Sequence, residues 1–259
     1  MEDLSTNGLI DCDVHMHVPT VEVLFPYLDE HWREYIRETA FKGPIDTSYP
    51  VGAATSLRPE LRGAGLGLET VRARVLEGGN ADVAILTCAY AVESVRNPYA
   101  AAALASAVND WQANEWLAEE PRLRGSVVVS SQDPDLATQE IDRVGGNSAF
   151  VQVQLPVRSE ALYGNRRYFP IFEAALRHDL AIGTHYGGNP GNPPTAAGWP
   201  SFYIEEYTGM AHIFQSQLIS LVTEGVFDKY PDLRVALIES GVSWLPGLLW
   251  RLDKEWKGL

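Results

Sequence analysis

Four side chains that can bind a metal ion lie close together near the start of the chain. They alternate along the apolar run Leu9–Val18 as Asp11, Asp13, His15 and His17. Because successive side chains of a β-strand point to opposite faces, all four are expected on the same face. Imidazoles or carboxylates two residues apart on one strand can bind one divalent cation. The run therefore predicts a metal site on a first strand.

Two further candidate residues each end a later apolar run. His185 ends Leu-Ala-Ile-Gly-Thr-His185, just before a glycine-rich stretch, and a histidine packed in the core is the alternative interpretation. Glu239 ends Val-Ala-Leu-Ile-Glu239. A carboxylate at the end of a buried strand is costly unless it is paired or binds a cation. We therefore expect Glu239 to act as a general base or acid beside the metal or to bind it, with helix capping or an arginine partner as the structural alternatives.

The elements that position these residues alternate along the chain. Apolar runs of strand length are each followed by an amphipathic segment of helix length. The predicted strands are Leu9–Val18, Ala81–Cys88, Arg124–Val129, Ala149–Leu155, Ala181–His185 and Arg234–Glu239. The predicted helices are Leu68–Leu76, Pro98–Glu119, Pro134–Val144, Tyr168–His178, Met210–Lys229 and Trp244–Trp256. This alternation indicates about six β/α units whose parallel strands are buried on both faces.

Two connections, residues 19–67 and 187–209, are too long for simple turns. Both follow the carboxyl end of a strand, where α/β folds build ligand sites. We expect the second connection to wall a planar substrate with its aromatic side chains, which are Trp199, Phe202 and Tyr203. From the first connection, Arg58 or Arg62 is expected to pair with a substrate carboxylate.

Composition narrows the class of partner. The 259 residues carry a formal net charge of −14, which argues against a nucleic-acid or anionic-membrane partner. The two cysteines, Cys12 and Cys88, lie in apolar runs and are expected to be buried thiols in a reducing compartment. With no signal peptide or membrane span recognisable, we expect a cytoplasmic protein with a small-molecule substrate.

These residues together resemble the amidohydrolase-related family that includes aminocarboxymuconate semialdehyde decarboxylase. The resemblance covers nearly the whole chain and is carried by Ile-Asp-Cys-Asp-Val-His15, by Thr184-His185, by Gly225–Arg234 and most specifically by Ile238–Pro246. Members are metal-dependent (β/α)8 barrels of the TIM-barrel type, commonly with zinc or manganese at the strand carboxyl ends. They hydrolyse, hydrate or decarboxylate small carboxylic acids. The resemblance implies one barrel domain over residues 1–259, with insertions at about 19–67 and 187–209.

Carried onto this chain, the family's Ile-Asp-x-ligand-x-ligand pattern puts the first-strand ligand pair on Asp13 and His15, which is the slightly favoured register. Matching the histidines instead puts the pair on His15 and His17. His185 matches the fifth-strand ligand. Decarboxylases of the family have a catalytic histidine where this chain has Glu239, which favours a hydrolase using metal-activated water, with zinc as the first choice and manganese as the second. The alternatives are a metal-dependent decarboxylase and, from another class, a non-catalytic binding or scaffold protein.

The resemblance also implies an eighth-strand aspartate ligand, and this chain stops before it. Three explanations are open: a fragment of a longer product, a barrel completed by another chain, or an open, degenerate relative. Family members are often dimers, and the apolar surface of Trp244–Trp256 is a candidate interface for a homodimer.

Overall fold

A single parallel sheet organises the chain. The structure, a computed structural model, describes residues 8–39, 41–44, 67–188, 192–193 and 195–259. Six strands follow one another across the sheet in chain order, and each pairs in parallel with the next. They are β1 (Leu9–Met16), β2 (Ala81–Cys88), β3 (Leu123–Val128), β4 (Phe150–Pro156), β5 (Ala181–His185) and β6 (Val235–Leu237). All six carboxyl ends therefore lie at the same rim, where the candidate residues were expected.

Helices connect the strands. They are α1 (Glu30–Thr39), α2 (Leu68–Val71), α3 (Pro98–Gln112), α4 (Pro134–Val144), α5 (Phe169–Arg177), α6 (Tyr203–Gly209), α7 (Ala211–Thr223), α8 (Val226–Lys229) and α9 (Leu245–Gly258). One-turn π-helical segments extend α2 through Arg72–Glu77 and α3 through Ala113–Leu117. This is a TIM-barrel-like fold with six β/α units, as the sequence predicts.

Local sequence explains where two of the long helices begin. Asn97 accepts hydrogen bonds from the backbone N–H groups of Tyr99 and Ala100, and Pro98 follows it as the first helical residue of α3. Asp133 caps α4 in the same way, ahead of Pro134. A capping oxygen satisfies N–H groups that lack an intrahelical partner, and proline lacks the N–H that would be unsatisfied there. Both helices therefore start where the sequence predicts.

The core lies between the outer face of the sheet and the helices. Val14, Leu86, Val127, Val153 and Ile182 come from five successive strands and are all essentially inaccessible to solvent. The opposite face carries polar side chains. There Gln152 donates to Ser126 Oγ at 2.7 Å, and Gln154 accepts the backbone N–H of Cys88 at 3.1 Å. The hydrophobic contacts hold the strands against the helices, and the opposite face of the sheet is polar.

Three expectations need correction. The last strand is shorter than predicted: its ladder continues past Leu237 only through the Ile238 N–H, which donates to Thr184 O at 2.8 Å, so Glu239 lies beyond the strand. The predicted helix Met210–Lys229 is divided, because Gly225 adopts a left-handed φ of 71° between α7 and α8. Cys12 is exposed and only Cys88 is buried, since Cys12 lies in the exposed first half of the edge strand β1.

Within the described part of the chain, every helix is too short or too polar to cross a bilayer. The helix α9 has no buried residue, and its Trp250 and Trp256 side chains are largely exposed. Dimerisation through this surface stays a prediction.

Candidate metal centre

The carboxyl-end rim brings four metal-competent side chains into one group. Asp13, His15, His185 and Glu239 each offer a ligand atom, and these atoms all lie within 4.8 Å of one another. The Nε2 atoms of His15 and His185 are 3.2 Å apart. Asp13 Oδ1 lies 3.5 Å from His15 Nε2 and 3.6 Å from His185 Nε2, and Glu239 Oε2 lies 3.6 Å from His185 Nε2. We call these four residues the rim cluster.

Strand geometry accounts for three members of the rim cluster. Asp13 and His15 are two residues apart on β1, so the strand places both on the same face. His185 is the last residue of β5 and pairs with Pro156 of β4. A register shift in the β1–β2 ladder lies between Asp11 and Val14, next to Asp13. The sheet thus fixes the backbone positions of both histidines and of the aspartate.

A backbone contact sets the orientation of the His185 ring. Its Nδ1 lies 2.7 Å from the carbonyl oxygen of Tyr186. Because a carbonyl oxygen only accepts hydrogen bonds, Nδ1 carries the proton. This tautomer directs the lone pair of Nε2 at the rim cluster, as a metal ligand requires. The His185 side chain is almost completely buried, so packing also restrains the ring.

The electrostatics of the rim cluster favour an ionised Asp13. Partial burial would raise the pKa of the Asp13 carboxyl, but its interactions with His15 and His185 outweigh burial and hold the pKa well below its ordinary value. Asp13 in turn raises the pKa of the His15 imidazole, against the opposing effect of burial. Asp13 and His15 therefore stabilise each other's charged forms.

The rim cluster fits a divalent cation. Asp13 Oδ1 is buried and accepts no hydrogen bond, which leaves a charged oxygen without a full partner. Ligand atoms placed tetrahedrally at about 2.1 Å from an ion are about 3.4 Å apart. The three separations among the ligand atoms of Asp13, His15 and His185, which are 3.2 to 3.6 Å, surround that value. Two imidazoles with carboxylates are a ligand set that suits zinc and manganese. The residues present therefore fit the metal that the sequence predicts.

Other predicted site residues lie outside the rim cluster. His17 follows the end of β1 and is exposed, so the geometry joins His15 to Asp13 and leaves His17 out of the group. Trp199 and Phe202 are more than half exposed in the connection after β5. Tyr203 begins α6, and its side chain lies outside the described part of the structure, as does Arg58. Substrate contacts by these residues stay predictions.

Two residues near the rim have contacts that sequence reasoning missed. Arg158 is buried just after β4, where its guanidinium donates to the carbonyl oxygens of Gly188 and Asn192 in the connection after β5. A charged residue following a buried strand is the signal that could have found it. Trp244 donates its indole N–H to Ser240 O at 2.7 Å. It lies in the motif Ile238–Pro246, which carries the resemblance most specifically but had no role for the tryptophan.

Comparison with known proteins decides the family. The family model described as amidohydrolase matches residues 12–257. This chain belongs to the amidohydrolase family. Among curated proteins, the chain is similar to the gamma-resorcylate decarboxylases of Polaromonas sp. (28% identical over 213 residues) and Rhodococcus jostii (27% identical over 216 residues). The matches cover 75% of this chain, and the chain spans 62% of the length of these relatives.

Solved structures show the same fold. The 5-carboxyvanillate decarboxylase of Novosphingobium aromaticivorans, determined with manganese and 4-hydroxy-3-methoxy-5-nitrobenzoic acid, has a TM-score of 0.71 and 22% identity over 97% of this chain and 70% of its own. The dihydroxybenzoic acid decarboxylase of Polaromonas sp., determined with manganese and 2-nitroresorcinol, has a TM-score of 0.62 and 23% identity over 97% of this chain and 71% of its own. At these identities the likeness concerns the fold.

Proposed function

We propose that this amidohydrolase-family chain acts as a divalent-metal-dependent decarboxylase of a small aromatic carboxylic acid. The observation that carries the proposal is the rim cluster, with its closely spaced ligand atoms and the buried Asp13 Oδ1, which accepts no hydrogen bond. The named activities of the curated relatives support a carboxy-lyase over a hydrolase. The manganese in the related decarboxylase structures supports a divalent ion, with zinc as the other candidate.

Asp13, His15 and His185 would hold the ion, with both histidines binding through Nε2. The ion would supply a positive charge that stabilises negative charge on the substrate carboxylate. The contact from His185 Nδ1 to the Tyr186 carbonyl keeps Nε2 directed at the ion position. Strand pairing on both sides of β5 limits movement of that ligand.

Glu239 would handle the proton. In the reaction, the bond between a ring carbon and the carboxylate carbon breaks, carbon dioxide leaves, and the ring carbon receives one proton. Glu239 Oε2, 3.6 Å from His185 Nε2, lies where it can carry that proton. Its side chain is 31% exposed, so solvent can return the proton after turnover. Atoms and charge balance without an oxidant or a reductant.

A hydrolase is the second candidate, and Glu239 itself favours it. The resemblance implies a histidine at this place in decarboxylases, whereas a carboxylate suits the removal of a proton from water. In that case Glu239 accepts the proton of an attacking water and returns it to the leaving group. A hydrolytic product would carry an oxygen atom from solvent, and a decarboxylated product would not.

Turnover in isotopically labelled water tests the proposal. The full chain, loaded with Mn²⁺, is incubated with 2,6-dihydroxybenzoate or 5-carboxyvanillate in D₂O containing ¹⁸O, and the organic product is analysed by mass spectrometry. The proposal predicts loss of carbon dioxide and one new ring deuterium, with no ¹⁸O in the product. If both acids stay intact and the product of an ester or amide substrate takes up ¹⁸O from the water, the hydrolase would be established instead.

Matched variants connect turnover to Glu239. Glu239→Gln keeps the size of the side chain but cannot exchange a proton, so we expect a loss of turnover of about 100-fold or more. Glu224→Gln makes the same change at the exposed end of α7 and should leave turnover unchanged. Equal rates for the two variants would remove Glu239 from the mechanism.

A further inference from the structure

The backbone at Glu239 has an unusual conformation. Glu239 has a φ of 62° and Gly241 a φ of 66°, so two left-handed residues flank Ser240. Among the described residues other than glycine, Asn80 and Asp179 also have positive φ. Asparagine and aspartate tolerate the left-handed region, whereas a glutamate there is strained by about 1 kcal/mol. A strained residue in a cluster of titratable groups points to a functional role for the strain.

Strand alternation shows what the strain achieves. Gly183 pairs with Ala236, so the alternate residues His185 and Ile238 share their face of the sheet. The side chain of Ile238 confirms this, because a Cβ built on Gly183 would lie 3.1 Å from Ile238 Cδ1. In a regular strand the next residue, Glu239, would therefore point to the opposite face, away from His185. The left-handed backbone reverses that direction, and Glu239 Oε2 reaches 3.6 Å from His185 Nε2.

The turn at residues 239–241 is attached to the core through Trp244. The indole N–H donates to Ser240 O at 2.7 Å, and the ring packs against the buried cluster of Val157, Met210 and Phe214. A hydrogen bond from a partly buried indole restricts the peptide between Ser240 and Gly241, the two residues that follow Glu239. The contact therefore ties the direction of the carboxylate to a packed side chain outside the rim cluster.

We propose that Gly241 and Trp244 are positioning residues that hold the left-handed turn and thereby direct the Glu239 carboxylate into the rim cluster. The inference rests on the proposed function, in which the rim cluster binds a divalent cation. Gly241 supplies a left-handed residue without a Cβ penalty, and Trp244 supplies the hydrogen bond that fixes Ser240. Displacing the Glu239 carboxylate moves its negative charge away from the ion position and weakens cation binding. Gly241 and Trp244 therefore influence metal affinity without touching the metal.

Two glycines form a matched pair for the test. A Cβ at Gly241 would lie 3.8 Å from the nearest atom, in Trp244, and a Cβ at Gly225 would lie 4.0 Å from the nearest atom, in Asp228. Their φ values are 66° and 71°. Gly241→Ala and Gly225→Ala therefore impose the same backbone strain with the same free space. Only the first lies beside the rim cluster, since Gly225 separates α7 from α8.

The measurement is the Mn²⁺ dissociation constant of the full chain by titration calorimetry, with melting temperature as the second readout. Both alanine variants should melt about 2–4 °C lower, in proportion to strain of about 1 kcal/mol. Gly241→Ala should weaken Mn²⁺ binding about tenfold, and Gly225→Ala should leave it unchanged. Trp244→Phe keeps most of the packing, removes the N–H donor, and should also weaken binding.

Equal Mn²⁺ dissociation constants for Gly241→Ala and Gly225→Ala would overturn the inference, as would wild-type affinity in Trp244→Phe. If Gly241→Ala fails to fold, Trp244→Phe decides alone. If the wild-type chain decarboxylates but the two alanine variants bind Mn²⁺ equally well, only the positioning role is contradicted. If the variants show the predicted differences in Mn²⁺ affinity but the wild-type chain releases no carbon dioxide, only the proposed reaction is contradicted.

Discussion

The two ends of the sheet position their site residues in different ways. At β1, the strand places Asp13 and His15 on one face through its two-residue period, beside a register shift between Asp11 and Val14. At β6, the strand has already ended, and a left-handed turn directs Glu239 against the direction that strand alternation would give. The first arrangement can be predicted from a repeat of residue types, whereas the second depends on backbone dihedral angles. The residues on strands should therefore dominate metal affinity, and the turn should adjust it.

Exchange of His15 should have the largest effect on metal affinity. His15→Ala removes an imidazole whose Nε2 lies 3.2 Å from that of His185, so Mn²⁺ affinity should fall by about 100-fold or more. His17→Ala changes the same side chain two residues later, outside the rim cluster, and should leave affinity within about twofold. Calorimetric titration of both variants checks this. Equal losses of Mn²⁺ affinity in the two variants would favour His15 and His17 as the ligand pair and contradict the grouping of His15 with Asp13.

Neutralising the β1 carboxylates should have the next largest effect. Asp13→Asn keeps the shape of the side chain but removes the negative charge next to both imidazoles, so Mn²⁺ should bind about 10- to 100-fold more weakly. Asp11→Asn is the control, because Asp11 Oδ1 only accepts the backbone N–H of Asp13, and an amide oxygen can do the same. If Asp11→Asn matched Asp13→Asn, the charge of Asp13 would have no special role.

A change at the opposite rim should separate stability from metal binding. Glu120 precedes β3, is buried, and accepts hydrogen bonds from Arg122 and Arg72. Hydrogen bonds from the Arg122 guanidinium outweigh burial and lower the pKa of Glu120 to about 2. Glu120→Gln should therefore reduce the free energy of unfolding at pH 7 by about 1–3 kcal/mol, with unchanged Mn²⁺ affinity.

The pH dependence of the Glu120 effect has a definite sign. A carboxyl with a lowered pKa stabilises the fold fully above its unfolded value of 4.5, and the contribution disappears as the pH falls towards about 2. The difference in unfolding free energy between wild type and Glu120→Gln should therefore shrink across that interval, as measured by urea unfolding. A difference that stayed constant would show that the ionised form of Glu120 is not the stabilising one.

Backbone strain at β6 should give the smallest effect. Glu239→Ala and Glu239→Gly both remove the carboxylate, and only the glycine variant relieves the left-handed strain at a φ of 62°. The glycine variant should be more stable by about 1 kcal/mol in metal-free unfolding. Equal stability of the two variants would mean that the turn is unstrained, and the contrast between the two ends of the sheet would lose its physical basis.

Much of the fold could be predicted because its signals are local. The limits of β2 and β5 are those expected from the apolar runs Ala81–Cys88 and Ala181–His185. The end of β6 was wrong because hydrophobicity continues through Ile238, while strand pairing stops there and the backbone turns. A dihedral angle has no signature in residue type when the residue is a glutamate. The same limit hid the role of Trp244.

The site was predicted in part for the same reason. His185 and Glu239 could be found because a polar residue at the end of an apolar run is conspicuous. The family pattern slightly favours Asp13 over His17 as the partner of His15, and the coordinates group Asp13 with it, since β1 ends at Met16, before His17. The comparisons favour decarboxylation over the hydrolase expected from Glu239. The spacing of the ligands alone could not decide between the two reactions, because it does not encode the chemistry of the substrate. The single-domain organisation, the homodimer and the substrate contacts stay predictions.

The metal content of the full chain shows most directly whether the rim cluster binds a divalent ion. Wild type and His185→Ala are equilibrated with Mn²⁺, separated from free ion by gel filtration, and assayed by elemental mass spectrometry. We expect about one manganese per wild-type chain and almost none in His185→Ala, because the three remaining residues of the rim cluster do not complete the ligand set. Equal metal content in the two proteins, or a wild type that retains no manganese and no zinc, would contradict that expectation.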